Sequence, residues 1–229
     1  MKNKLLYQII SCIGLLISTF AFSNVAHAGA QAYEDLSASV RASLQRAVSD
    51  KAVSDSVVVD DEDTQRWLTD MSPRLQKRFP DSIERLSLLR TVNYEARRAG
   101  LDPQLVLGLI QVESAFRKYA VSKAGAQGYM QVMPFWTKTI GTAEHNLFHL
   151  RTNLRYGCTI LRHYLDIEKG NLFRALGRYN GSLGKPEYPN MVLAAWKGRW
   201  GIGSEPVQVR PVSLPSAVNI PVVIVKTIN

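Results

Sequence analysis

Cysteine is almost missing from this chain, with two in 229 residues. Two thiols cannot build a disulfide framework. Proline, with ten, and glycine, with fifteen, are too scarce for a collagenous or low-complexity chain. Acidic side chains are outnumbered, 19 against 28 basic ones, and the formal net charge is +9. That excess points to an anionic partner without naming one. After Phe22 no apolar run is long enough to span a bilayer. Apolar residues are otherwise plentiful, at 46%, which excludes wholesale disorder.

The one long apolar run lies at the start. Lys2 and Lys4 precede the mostly apolar stretch from Leu5 to Phe22. Ala26-His27-Ala28 then places small residues at the two positions a signal peptidase reads. Residues 1–28 are expected to be a cleaved secretory signal, with an uncleaved anchor as the alternative. A lipoprotein reading through Cys12 has too little apolar sequence before it. The exported chain is expected to be periplasmic and to have no stable membrane span after cleavage. If the signal stays, it would be anchored in the inner membrane. Cleavage leaves Cys158 as the only thiol. It sits in the apolar helical pattern Leu154 to Leu161 and reads as an inert core thiol rather than a nucleophile.

The rest divides into a flank, a compact unit and a tail. Residues 29–64 form a partly helical flank, with Tyr33, Leu36, Val40 and Leu44 at helical spacing. Residues 29–70 are net acidic, while the basic excess falls within 71–204. In an exported protein, such a basic middle points to an extracellular anionic polymer rather than nucleic acid. The acidic run Asp60 to Asp63 reads as a linker or a helix start. Trp67, Met71, Leu75 and Phe79 mark one helical face, and Ile83, Leu86, Leu89, Val92 and Ala96 mark the next, which Gly100 ends. Asp102-Pro103 opens another helix, with a cap followed by a proline at the first helical position. Ala120 to Gln131 reads as a loop or short hairpin. Asn153 to Ile167, Leu172 to Arg178 and Asn190 to Trp196 read as helices. The compact unit is placed at 65–203, and 204–229 is an extended Pro/Val-rich tail. The fold class expected from these elements is mainly α.

Helix 103–113 holds the residue that stands out. On a wheel started at Leu105, Leu109 falls near about 40° and Val106 near about 100°. Glu113 lands between them, inside the apolar arc. A carboxyl held against apolar neighbours has its charged form disfavoured and its pKa raised. Such a group keeps a proton near neutral pH and can give it to a leaving oxygen. The bland alternative is that the helix ends here and Glu113 frays outward.

The residues that follow carry a resemblance. Glu113-Ser114-Ala115-Phe116, Ala120-Val121-Ser122, the run Gly125 to Pro134 (GAQGYMQVMP) and the later Tyr179-Asn180-Gly181 resemble, in order and spacing, the motifs of the soluble lytic transglycosylases of the bacterial cell wall. The resemblance covers roughly residues 100–190. It implies a lysozyme-like, mainly α (α+β) domain with a long groove for peptidoglycan glycan strands. It implies that Glu113 is the sole catalytic acid and base. Ser114 would set the helix end and groove wall. Ser122, Gln131 and Met133 would contact the sugar or line the neighbouring subsite. Tyr179 would hydrogen-bond near the carboxyl, and Asn180, in a loop between helices, would fix that loop. Gly125 and Gly128 would let the backbone approach the glycan. The sequence departs from the family pattern at Tyr129, where Leu is usual, and at Arg178, where Ala is usual. Both departures bear on groove shape and charge.

Ordinary glycosidases use two carboxyls. Between Pro103 and Leu165 the only acids are Glu113 and Glu144, and Glu144 lies in a loop segment. A one-carboxyl site suits a reaction whose nucleophile belongs to the substrate, in this family the C6 hydroxyl of N-acetylmuramic acid. The alternatives are a goose-type lysozyme-like hydrolase and a non-catalytic wall-binding protein. No cofactor is expected. His145 and His149 are four apart beside Glu144, but lack the His-Glu-x-x-His order of a metal helix. Scattered basic residues do not form a nucleic-acid footprint.

Overall fold

The computed structural model describes residues 31–49, 61–142 and 144–201. The signal expected at 1–28, the tail expected at 204–229 and Asp60 of the acidic run lie outside the described residues. Among the described residues eight α-helices follow one another: α1 Ala38–Val48, α2 Glu62–Leu75, α3 Ser82–Arg98, α4 Pro103–Ser114, α5 Phe135–Ile140, α6 Leu150–Ile167, α7 Leu172–Asn180 and α8 Glu187–Ala194. A π-helical turn, Ala195–Trp200, continues from α8. The mainly-α expectation holds. The segment expected to be a loop or hairpin forms only two isolated bridges, Val121 with Gln127 and Gln127 with Val132.

Short polar residues set the helix starts. Asp61 accepts from Thr64 N at 2.7 Å, so the acidic run opens α2 rather than acting as a linker. Asp81 accepts from Ile83 N at 2.7 Å and starts α3. Asn171 accepts from Arg174 N at 3.1 Å and starts α7. Asp102 accepts from Gln104 N at 2.7 Å, with Pro103 at the first helical position of α4.

Helix α4 is the centre of the unit. It packs against α3, α8 and the π-helical turn, while α6 packs against α1, α3 and α7. Leu105, Val106, Leu107, Leu109 and Ile110 are fully buried, so the helix is covered on nearly all sides rather than along one stripe. Each such side chain contributes roughly 1.5–3 kcal/mol by leaving water. Gly108 permits the closest approach. A Cβ there would lie 2.9 Å from Trp196 N. The π-helical turn then grips both ends of α4. Trp196 Nε1 donates to Asp102 Oδ2, and Trp200 Nε1 donates to Gln111 Oε1, each at 2.9 Å. The end of α4 is thereby placed by buried packing and by directed bonds.

Candidate active site

Glu113 sits in the last turn of α4 and is 2% exposed, which answers the choice between a buried and a fraying side chain. Tyr188, at the start of α8, donates its hydroxyl to Glu113 Oε1 at 2.5 Å. Glu113 Oε2 is buried and has no hydrogen-bond partner. Burial pushes the carboxyl pKa up to about 8, and the Tyr188 bond opposes this in part. The group therefore holds its proton at neutral pH, because a carboxylate there would lose its hydration without gaining a cation.

The backbone behind Glu113 turns sharply. Ala115 and Phe116 take positive φ values of 49° and 60°, a region costly for residues with a Cβ. Anchors on both sides hold the turn. Ser114 Oγ donates to Tyr129 O at 2.7 Å, and Arg117 Nε donates to Ser114 O at 3.0 Å. Phe116 is buried between Phe79 and Trp200. Ser114 thus ties the end of α4 to the loop 120–134, in keeping with its expected place at the helix end.

That loop is held mainly by its own polar side chains. Ser122 Oγ accepts from Ala126 N at 3.0 Å. Gln131, with φ 49°, is buried and donates Nε2 to Ala120 O at 3.1 Å and to Gly128 O at 2.9 Å. Asn153 of α6 pins the loop from behind. Its Oδ1 accepts from Met130 N at 2.8 Å, and its Nδ2 donates to Gln127 O at 2.9 Å and Leu147 O at 2.8 Å. The sequence reading missed Asn153, since one polar residue in a helix carries no signal of three distant backbone partners. Gly128 has a packing reason to be glycine, since its φ is 76° and a Cβ would meet Asn153 Nδ2 at 2.4 Å. Gly125, at φ 88°, has open space around it.

Tyr179 and Asn180 lie in the last turn of α7, not in a loop. Tyr179 is fully buried, and its hydroxyl donates to Met130 O at 2.8 Å. It lies close enough to Glu113 for that charge to raise its pKa, after burial as the main cause. The hydroxyl that bonds the carboxyl is Tyr188, which the sequence reading did not single out. A Tyr between Glu187 and Pro189 has no chemical signature, and only the packing of α8 on α4 brings it across. Asn180 Nδ2 lies 3.0 Å from Ser182 Oγ, while its buried Oδ1 has no partner. Met133 and Phe135 are half-buried at the start of α5.

The remaining candidates fall elsewhere. Glu144 is exposed. His145 Nδ1 is bonded to Tyr156 OH at 2.7 Å, and His149 precedes α6 as its cap residue. Cys158 is 1% exposed, and burial raises its pKa well above the usual thiol range, as suits an inert core thiol. Tyr129 is buried, and burial raises its phenol to about 12. Arg178 is committed within the fold, paired with Glu168 and, at 3.0 Å, with Glu34.

Comparison with known proteins fits this geometry. Residues 90–188 match the family described as the Transglycosylase SLT domain. A "Transglycosylase" of Enterobacteria phage PRD1 is 35% identical over 91 residues, covering 40% of this chain and 33% of that protein. A "Membrane-bound lytic murein transglycosylase C" of Mannheimia succiniciproducens is 43% identical over 63 residues, covering 28% of this chain and 16% of the relative. One of the same name from Actinobacillus pleuropneumoniae serotype 5b is 54% identical over 46 residues, covering 20% and 13%. The chain thus spans a third or less of the length of these relatives. Within the described residues no helix is long and apolar enough to cross a membrane. The matched stretch contains Glu113, its tyrosine partner and the loop between them, so the similarity to the transglycosylase SLT domain family falls on the candidate site.

Proposed function

We propose that this chain is a peptidoglycan lytic transglycosylase in which Glu113 acts first as acid and then as base. One observation carries the reading. Glu113 is buried without an ion pair, one oxygen accepts from Tyr188, and the other has no partner. A proton on Oε2 passes to the glycosidic oxygen between N-acetylmuramic acid and N-acetylglucosamine. The C1–O bond breaks, and the positive charge at C1 is shared with the ring oxygen and the acetamido group. The new carboxylate, steadied by the Tyr188 hydroxyl, takes the proton of the C6 hydroxyl. The C6 oxygen closes on C1 and gives a 1,6-anhydro end. Glu113 is again protonated, and no water is consumed.

The other acids support a one-carboxyl site. Glu95 is taken up by arginines, Asp102 by a helix cap and Trp196, and Glu144 is exposed. A hydrolase would need a second carboxylate to hold its water. Ser114, Ser122 and Gln131 shape the loop beside the acid. Met133, Tyr179 and Asn180 form the neighbouring wall. In this reading residues 65–203 form the catalytic unit, the chain is exported by residues 1–28, and the basic middle meets the carboxylates of muramic acid and stem peptides. Binding to isolated sacculi should then weaken as salt rises.

Mass spectrometry of digested peptidoglycan tests the proposal. The wild type should release 1,6-anhydro muropeptides, and Glu113→Gln should release none. Ends heavier by one water would replace this reading with the goose-type hydrolase. Absence of soluble fragments from the wild type would replace it with a wall-binding role.

A further inference from the structure

The flank before α1 enters the site. Gln31 lies outside the family-matched stretch, yet it is only 4% exposed. Its Oε1 accepts from Trp136 Nε1 at 2.9 Å and from Met133 N at 3.3 Å. The acidity of the buried Tyr179 hydroxyl responds to both this side chain and the Glu113 charge, with burial as the main cause of its raised pKa. Its Nε2 is buried and has no hydrogen-bond partner. The residues after it are exposed and lightly held. Tyr33 meets Phe135 edge-on at 5.6 Å between ring centroids, and Glu34 pairs with Arg178 at 3.0 Å.

We infer that Gln31 is a built-in occupant of an amide-binding subsite beside Glu113, holding the place of a sugar's acetamido group until substrate displaces it. The inference rests on the lytic-transglycosylase reading for the identity of the sugar. The chemistry is an exchange of like for like. A carboxamide and an acetamido group both present a carbonyl acceptor and an N–H donor. Removing Gln31 alone would leave the buried Trp136 N–H and the Met133 N–H unpaired, which is unfavourable. An acetamido carbonyl in the same place would satisfy both. Gln31 is also an imperfect occupant, because its own Nε2 has no partner, and this weakens its hold against a better-fitting amide. The exposed contacts of Tyr33 and Glu34 are of the kind that contribute little, so the arm can lift.

Calorimetric binding of an N-acetylglucosamine pentasaccharide to the full chain tests this, with Glu113→Gln present throughout to prevent turnover. Adding Gln31→Ala should tighten Kd about 5- to 10-fold, and adding Glu34→Lys, which loosens the arm from outside, about 2- to 3-fold. The fully deacetylated pentasaccharide should show no such gain. Equal or weaker binding with Gln31→Ala, or an equal gain for the deacetylated sugar, overturns the inference. If Gln31→Ala does not fold, Glu34→Lys decides, and an unchanged Kd overturns it. Hydrated ends in the wild-type product spectrum would instead defeat the transglycosylase reading and leave this affinity comparison intact.

Discussion

Among the described residues two glutamates are buried, and their neighbours make them different chemical objects. Glu95 of α3 is 0% exposed and is surrounded by Arg98 at 3.0 Å, Arg155 at 3.0 Å and Arg151 at 3.6 Å. Glu113 of α4 is 2% exposed and meets a tyrosine hydroxyl instead of a cation. Glu95 is a charged pin joining α3 to α6. Glu113 is kept protonated by burial, and in the proposed reaction that proton is the one given to the leaving oxygen. Burial alone therefore does not mark an active site. At Glu113 no cation offsets the cost of burial, and that is what makes it the candidate acid.

Four experiments bear on this contrast. The largest effect is expected from Glu113→Gln, which should lower turnover on peptidoglycan by about 10³- to 10⁴-fold, near the upper range for general acid–base catalysis. Its melting temperature should stay the same or rise, since an uncharged amide replaces a group that resists ionisation. Glu95→Gln should do the reverse. Leaving three arginines around a neutral side chain should destabilise the fold by about 3–5 kcal/mol, seen in denaturant melts, with turnover per folded molecule largely kept. A melting temperature unmoved by Glu95→Gln would remove the structural half of the contrast.

The third effect is on stability against pH. Glu113 has a folded pKa of about 8 against an ordinary 4.5. Between those values the folded state binds more protons than the unfolded one, so this group's contribution is intact below about pH 4.5 and declines as pH rises through 8. The expected loss is on the order of 5 kcal/mol by pH 9, most of it between about pH 5 and pH 8. Paired melts of wild type and Glu113→Gln at pH 5 and pH 9 measure it, and a constant difference between them would contradict the assignment. The smallest effect is expected from Tyr188→Phe. It removes the bond that pulls the Glu113 pKa down, so the basic limb of the kcat/KM profile should move to higher pH. Turnover should fall about 10-fold as the carboxyl loses its orientation, on the order of one hydrogen bond. An unchanged pH profile would show that the hydroxyl does not set the acidity of Glu113.

Local order is legible in the sequence itself. Asp102-Pro103 announced α4, and the 100° step per residue carried Glu113 to the apolar side of that helix, where it is found. The run from Gly125 to Pro134 and the Tyr179-Asn180 pair carried the family, because motif spacing is a property of the chain itself. Boundaries were less legible. α6 begins at Leu150 rather than Asn153, α7 runs on to Asn180, and the last α-helix spans Glu187–Ala194 rather than 190–196, because an apolar pattern marks the buried face of a helix and not its fraying ends.

What the chain settles by itself is local: where helices start, which face of each is apolar, and that one carboxyl is placed on the wrong side for water. These follow from capping bonds and from the geometry of a single helix. Which groups surround that carboxyl was decided only by tertiary packing. Tyr188 reaches Glu113 across 75 residues, Asn153 pins Met130 across 23, and Gln31 reaches Trp136 across 105. No local pattern encodes such pairs, because each bond exists only once the close packing of α4 against its neighbours has excluded water from between them.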